Sequence, residues 1–214
     1  SGITLDCSKT NIDDDLLRLL NNLLLESSFI DIRNDLFYGK IVNRTEDQPA
    51  VHTLMRSQQD PSTIYASDIK KDIDNEHERV LVFCTKLLSG KIMGSTGKAF
   101  TDVVNIGIGG SQTGPEMVVK ALKSFKTKLN IHFLSNIDPS DMDDTLNGLN
   151  PEKTLFIVVS KSFKTLETLS NAKFVEDWLK RYLPAKSKPE DHFIAVSSEY
   201  NNVEKCSIIF REKF

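Results

Sequence analysis

No apolar run in this 214-residue chain approaches the roughly 18 residues that a membrane-spanning helix needs. The opening Ser1-Gly2-Ile3-Thr4 lacks the basic region and apolar stretch of a signal peptide. Cysteine is scarce: Cys7, Cys84 and Cys206 are far apart and odd in number, which argues against a disulfide framework and a CxxC metal site. Reduced thiols in the cytoplasm are the simple reading. His52, His77, His132 and His192 are widely separated, and no zinc or calcium motif occurs. Neither charge sign dominates: the net charge is −3, and no basic face of the kind a nucleic-acid binder presents is visible. What remains, 39% hydrophobic and 27% charged residues, suits a water-soluble globular chain of one large or two small domains.

The pattern changes near Thr101. Before it the chain reads as mainly helical. Asn11 is placed to cap a helix running to Glu26, with Asp13, Asp14 and Asp15 in its first turn, where carboxylates suit the helix dipole. Ile12, Leu16, Leu19, Leu20 and Leu23 recur at helical spacing and predict a packed face. A short helix over 29–38 stops at Gly39. Residues 41–67, with Pro49 and Pro61, read as irregular, and a longer helix over 68–89 ends at Gly90.

After Thr101, four apolar runs (103–108, 131–135, 155–160 and 193–197) alternate with helix candidates at 115–125, 139–149 and 165–182. Pro115 and Pro139 are read as first helical residues, and Asp138 as a cap. Continuous apolar runs separated by helices predict a parallel sheet covered on both faces, joined by right-handed crossovers. Ile208, Ile209 and Phe210 offer a short edge strand, after which the sheet reads as incomplete. The expected organisation is α/β: a helical region over 1–100, the first part of an α/β domain over 101–203, and a divergent tail over 204–214.

Two loops carry the candidate chemistry. Four glycines, Gly107, Gly109, Gly110 and Gly114, fall within eight residues directly after the first strand. They admit either a ligand approaching bare backbone at a helix N-terminus or a tight strand-to-helix turn. A dinucleotide fingerprint fails, because Gln112 stands where G-x-G-x-x-G needs its third glycine, and no P-loop motif is present. After the third strand, Ser160-Lys161-Ser162-Phe163-Lys164-Thr165 puts three hydroxyls within six residues at another strand-to-helix junction. That composition fits a phosphate cup, and it also fits an ordinary loop with Thr165 as N-cap. Glu167, early in the next helix, is read either as a dipole-complementing carboxylate or as a group that orients a catalytic histidine or binds a sugar hydroxyl. Both loops follow parallel strands at their carboxyl ends, where open α/β sheets bind ligands.

At these loops the sequence resembles the N-terminal part of the glucose-6-phosphate isomerase (phosphoglucose isomerase) family. Asp102-Val103-Val104-Asn105-Ile106-Gly107-Ile108-Gly109-Gly110-Ser111 with Gly114-Pro115 is similar to its first sugar-isomerase segment. His132-Phe133-Leu134-Ser135-Asn136 with Asp138 is similar to its next strand. Ser160-Lys161-Ser162-Phe163 with Thr165, Glu167 and Thr168, continued by Asn171-Ala172 and Trp178, is similar to its phosphate-binding segment. Upstream, Asn43-Arg44-Thr45-Glu46, His52, Arg56 and Thr96-Gly97-Lys98 also match. These motifs run from about Cys7 to Val203. Lys164 and Leu166 depart from it, standing where threonine and glutamine are usual.

The resemblance implies a sugar-isomerase (SIS-type) domain and the interconversion of glucose 6-phosphate and fructose 6-phosphate in glycolysis and gluconeogenesis. It implies a cytoplasmic homodimer that uses no metal and no nucleotide cofactor. It implies that Ser160, Lys161 (through its backbone N–H), Ser162 and Thr165 bind the phosphate, that Gly110 and Ser111 bind the sugar, and that Glu167 supports a ring-opening histidine. Such an isomerase needs acid–base help to open the ring and a base to move a proton between C2 and C1. In the family those groups, a glutamate, an arginine, a histidine and a lysine, lie in segments this sequence does not contain, so the 214-residue chain alone is expected to be inactive. The alternative function class is a non-catalytic sugar-phosphate-binding module.

Overall fold

The computed structural model describes residues 2, 4–57, 67–125 and 128–214, so Ser1, Ile3 and Pro61 lie outside the described residues. The chain divides into two compact units, Ser1–His77 and Glu78–Phe214.

In the first unit, helix α1 (Asp14–Glu26) starts two residues later than Asn11 would place it. Asp13 is the cap, its carboxylate accepting the Leu16 N–H at 2.8 Å. The leucine stripe does not become a core. No residue of α1 is buried, and Leu19 and Leu23 are 65% and 60% exposed. Helical periodicity is present, but α1 packs mainly against helix α2 (Phe29–Phe37), which itself buries no residue. Gly39 follows α2 at φ 68, as a C-terminal glycine should. Strands β1 (Ile41–Asn43) and β2 (Gln48–Pro49) form a small antiparallel ladder inside the stretch expected to be irregular. Helix α3 (Ser67–Leu88) runs through the boundary between the units and is followed by Gly90 at φ 73.

The second unit is the expected α/β layer structure. In chain order it contains β3 (Asp102–Ile106), α4 (Gly110–Ala121), β4 (Asn130–Leu134), α5 (Pro139–Leu146) and β5 (Thr154–Val159), then α6 (Leu166–Tyr182), β6 (Phe193–Val196), α7 (Tyr200–Lys205) and β7 (Glu212–Lys213). The strands form one parallel sheet in the order β4-β3-β5-β6-β7. Successive side chains alternate faces. Val104, Ile106, Phe156, Val158, Phe193 and Ala195 pack on one side with Ala172, Val175 and Leu179 of α6. Val103, Leu155 and Ile194 pack on the other with Leu87 of α3 and Phe100. Trp178 meets Phe156 edge-on at 6.1 Å between ring centroids.

Two expectations are corrected. The edge strand is not at 208–210. Ile208 and Phe210 are buried in the core, and the polar pair Glu212–Lys213 makes the ladder with β6. Pro115 is not a first helical residue either, since α4 begins five residues before it. Asp138 and Pro139 do start α5 as expected, with the Asp138 carboxylate accepting the Ser140 N–H at 2.8 Å.

The strand starts carry two histidines in structural roles. His192 is fully buried; its Nδ1 lies 2.9 Å from the Thr154 carbonyl, and its Nε2 accepts the Ser95 N–H at 3.2 Å. Burial pushes its pKa below the ordinary 6.5. His132 Nε2 lies 3.0 Å from the Asp102 carboxylate, which also accepts from Thr101 and Asn130. Burial raises the Asp102 pKa, but these hydrogen bonds outweigh it and hold the carboxyl below its ordinary value.

Candidate functional site

Strand order fixes where a ligand can enter. β3 is flanked by β4 on one side and β5 on the other, so the crossover after β3 runs to β4 while the one after β5 runs the opposite way, to β6. The crevice at such a switch point lies beyond the carboxyl ends of the strands, between the loops after β3 and β5. Those are the two loops singled out by the sequence.

The β3 loop turns at Gly109, whose φ of 59 and ψ of −126 demand glycine. α4 starts at the next residue, so Gly110 and Ser111 form its first turn, where helix N–H groups point out of the N-terminus. Gly107 is needed for a different reason. A Cβ there would sit 3.0 Å from the Ser111 carbonyl oxygen and 3.1 Å from that of Val159, the last residue of β5. The absent side chain is what lets the β3 turn and the end of β5 come together. Gly114 has open space around its Cβ position apart from its chain neighbours, but it precedes Pro115, whose ring crowds the helical conformation of a residue that carries a Cβ. The glycine cluster therefore serves as a tight turn and also brings bare backbone to the crevice.

Pro115 lies inside α4 and cannot donate to the carbonyl four residues back, that of Ser111. Asn105, 8% exposed on β3, supplies the missing donor: its Nδ2 reaches the Ser111 oxygen at 3.1 Å. No local sequence signal marks this, because the partner sits on the preceding strand.

The β5 loop folds around Ser160, which is 4% exposed. Ser160 Oγ accepts the Phe163 N–H at 3.1 Å and lies 3.4 Å from Thr165 Oγ1. Thr165 occupies the N-cap position of α6, yet its side chain makes no capping bond. Phe163 has a left-handed backbone, φ 51, unusual for a bulky residue, while its ring is 2% exposed and meets Phe210 edge-on at 5.6 Å. Ser162, Lys161 and Lys164 stay on the surface, as do Leu166 and Glu167 in the first turn of α6. Thus Ser160 and Thr165 are brought together, Ser162 projects from the same loop, and Gly110 and Ser111 start the helix after β3.

A third loop is tied to the same end of the sheet. Asn171 of α6, 1% exposed, donates through Nδ2 to the Asn136 carbonyl after β4 at 2.9 Å. Among the described residues, no group of three His, Cys, Asp or Glu side chains converges in a way that would hold a metal ion. No described helix is long and apolar enough to cross a membrane.

Comparison with known proteins gives these loops a family. The phosphoglucose isomerase family model matches residues 6–214, continuing beyond Val203, where the quoted motifs end. Glucose-6-phosphate isomerase of Christiangramia forsetii is 40% identical over 210 residues, which are 98% of this chain and 38% of that protein. The crystal structure of a glucose-6-phosphate isomerase from Chlamydia trachomatis superposes with a TM-score of 0.75 at 27% identity, covering 95% of this chain and 38% of that one. The chain therefore spans 38% of the length of each of these two relatives. With a match over nearly its whole length, the chain belongs to the phosphoglucose isomerase family.

Proposed function

We propose that this chain carries the sugar-phosphate grip of an enzyme that interconverts glucose 6-phosphate and fructose 6-phosphate. The observation that supports this best is the pairing of a three-hydroxyl loop after β5 with a glycine turn after β3, on neighbouring strands at the switch point of the sheet. In this reading Ser160, Ser162 and Thr165 donate hydroxyls to the phosphate, with the Lys161 N–H and the N-terminus of α6 completing the cup. Gly110 and Ser111 face the sugar, and Glu167 orients a histidine that assists ring opening. The proton-transfer groups lie in segments of the family that this sequence does not contain. The 214-residue chain is accordingly read as binding without turning over, within a cytoplasmic dimeric enzyme.

Titration of the purified chain with glucose 6-phosphate, followed by calorimetry or amide chemical shifts, tests the grip. Saturable binding with shifts at 107–111 and 160–167 is expected, and binding elsewhere or none would overturn it. A coupled assay for fructose 6-phosphate tests the second half, for which no turnover above the enzyme-free rate is expected.

A further inference from the structure

The β5 loop is held from the side of β6, by residues that the reading above does not use. Ser197 follows β6 directly, and its Oγ donates to the Lys161 carbonyl at 2.9 Å. Ser198 Oγ donates to the same oxygen at 3.0 Å. Asn202, on the short helix α7, donates through Nδ2 to the next carbonyl, that of Ser162, at 2.8 Å. Ser197 is itself fixed. Its N–H donates to the Phe214 carbonyl at 2.8 Å, and its Oγ accepts the Glu199 N–H at 3.0 Å.

Three side-chain donors on two consecutive carbonyls of an exposed loop are more than loop closure requires. Their effect follows from the planar trans peptide, in which the N–H of one residue points opposite to the C=O of the residue before it. Drawing the Lys161 carbonyl toward β6 turns the Ser162 N–H away from β6. Drawing the Ser162 carbonyl the same way turns the Phe163 N–H inward, where Ser160 Oγ accepts it. The sheet places β3 on the side opposite β6, so the Ser162 N–H is directed to the crevice side of the loop. The same clamp holds Phe163 at φ 51, a conformation a phenylalanine does not keep unless its surroundings impose it.

We propose that Ser197, Ser198 and Asn202 are positioning residues for the phosphate cup: by fixing two carbonyls outward they present the cup's backbone N–H to the substrate phosphate. This rests on the reading of the 160–165 loop as that cup. None of the three touches the ligand in this arrangement. They act through the backbone they orient.

The test uses the 214-residue chain, the double variant Ser197→Ala/Ser198→Ala, Asn202→Ala, and the hydroxyl-retaining Ser198→Thr in the Ser197→Ala background. Affinities for glucose 6-phosphate and for inorganic phosphate are measured together with amide hydrogen exchange. The double variant is expected to lose roughly tenfold in affinity for both ligands, the scale of one charge-assisted hydrogen bond, with their ratio unchanged. Amides at 161–164 should exchange faster while those of β3 and β5 keep their protection, and Ser198→Thr should recover part of both effects. Unchanged affinity together with unchanged exchange at 161–164 would overturn the proposal. So would a loss of protection spread over the whole sheet, which marks general destabilisation. If the unaltered chain binds neither ligand, the cup reading falls and the positioning role falls with it, whereas the exchange data still decide whether the clamp orders the loop.

Discussion

Asn105 Nδ2 donates to the Ser111 carbonyl at 3.1 Å, taking the place of the backbone N–H that Pro115 cannot supply. A strand thereby repairs the first turns of the helix that follows it. Asn105→Ala should leave that carbonyl unpaired and cost about 1–3 kcal/mol. Pro115→Ala restores a helical N–H to the same oxygen, so in the Pro115→Ala background the Asn105→Ala cost should shrink. A double-mutant cycle by urea denaturation reads the coupling, and strictly additive effects would show that the two residues do not share this acceptor.

The glycines should separate by what a methyl group meets. At Gly94 a Cβ would lie 2.5 Å from His192 Cε1 and 2.9 Å from the Glu152 carbonyl oxygen, and at Gly107 it would lie 3.0 Å from Ser111 O. Gly94→Ala and Gly107→Ala should each destabilise by about 1–3 kcal/mol, Gly94→Ala more. Gly114→Ala, inside α4 with open space away from its chain neighbours, should cost less than either, because alanine's helix propensity offsets the crowding of its Cβ by the Pro115 ring. Thermal midpoints in that order check the argument, and a Gly114→Ala as destabilising as Gly107→Ala would contradict it.

His192 makes stability depend on pH. Its folded-state pKa lies below 6.5, and its Nε2 must stay unprotonated to accept the Ser95 N–H. The unfolded chain therefore takes up the proton first. The contribution is complete above 6.5 and is lost progressively as pH falls from there through the folded value, below which the curve flattens. Asp102, also depressed, acts in a separate window: its contribution is present above 3.8 and lost as pH falls through its own lowered value. Denaturation midpoints between pH 7.5 and 5 should fall for the unaltered chain and fall less for His192→Gln. Equal slopes would remove His192 as the cause.

Within the proposed cup, Ser160 and Ser162 should behave differently. Ser160 is buried and accepts the Phe163 N–H, so Ser160→Ala should weaken sugar-phosphate binding and also cost about 0.5–1.5 kcal/mol of stability. Ser162 is exposed, so Ser162→Ala should change stability by no more than about 0.5 kcal/mol while weakening binding. Paired calorimetric titrations and urea curves measure both quantities for each variant.

How far these elements could be read from the residues depended on how local their causes are. The strand positions followed from apolar runs, and α5 from an aspartate-proline pair whose capping bond spans two residues. α4 was misplaced because Pro115 is tolerated only through Asn105, ten positions upstream. The leucine stripe of α1 had the right period, but periodicity gives a helix's apolar face without saying whether anything covers it. At 208–210 burial, rather than pairing, explains the apolar residues. In the candidate site, the hydroxyls and glycines were legible as residue types. The left-handed Phe163 was not, because that conformation is imposed by tertiary contacts instead of by a glycine or asparagine. Nor were the Ser197, Ser198 and Asn202 contacts, which join loops 36 to 40 residues apart.

The position of Trp178 decides what an optical unfolding experiment on this chain observes. It is the sole tryptophan, partly buried, and it lies against Phe156 and the core of the Glu78–Phe214 unit. Its emission therefore reports on that unit, whereas far-ultraviolet dichroism sums the helices of both units, α1 and α2 included. Recording both signals along one denaturation axis turns a single protein sample into two thermometers. A gap between their midpoints would measure how independently the helical segment melts from the parallel sheet.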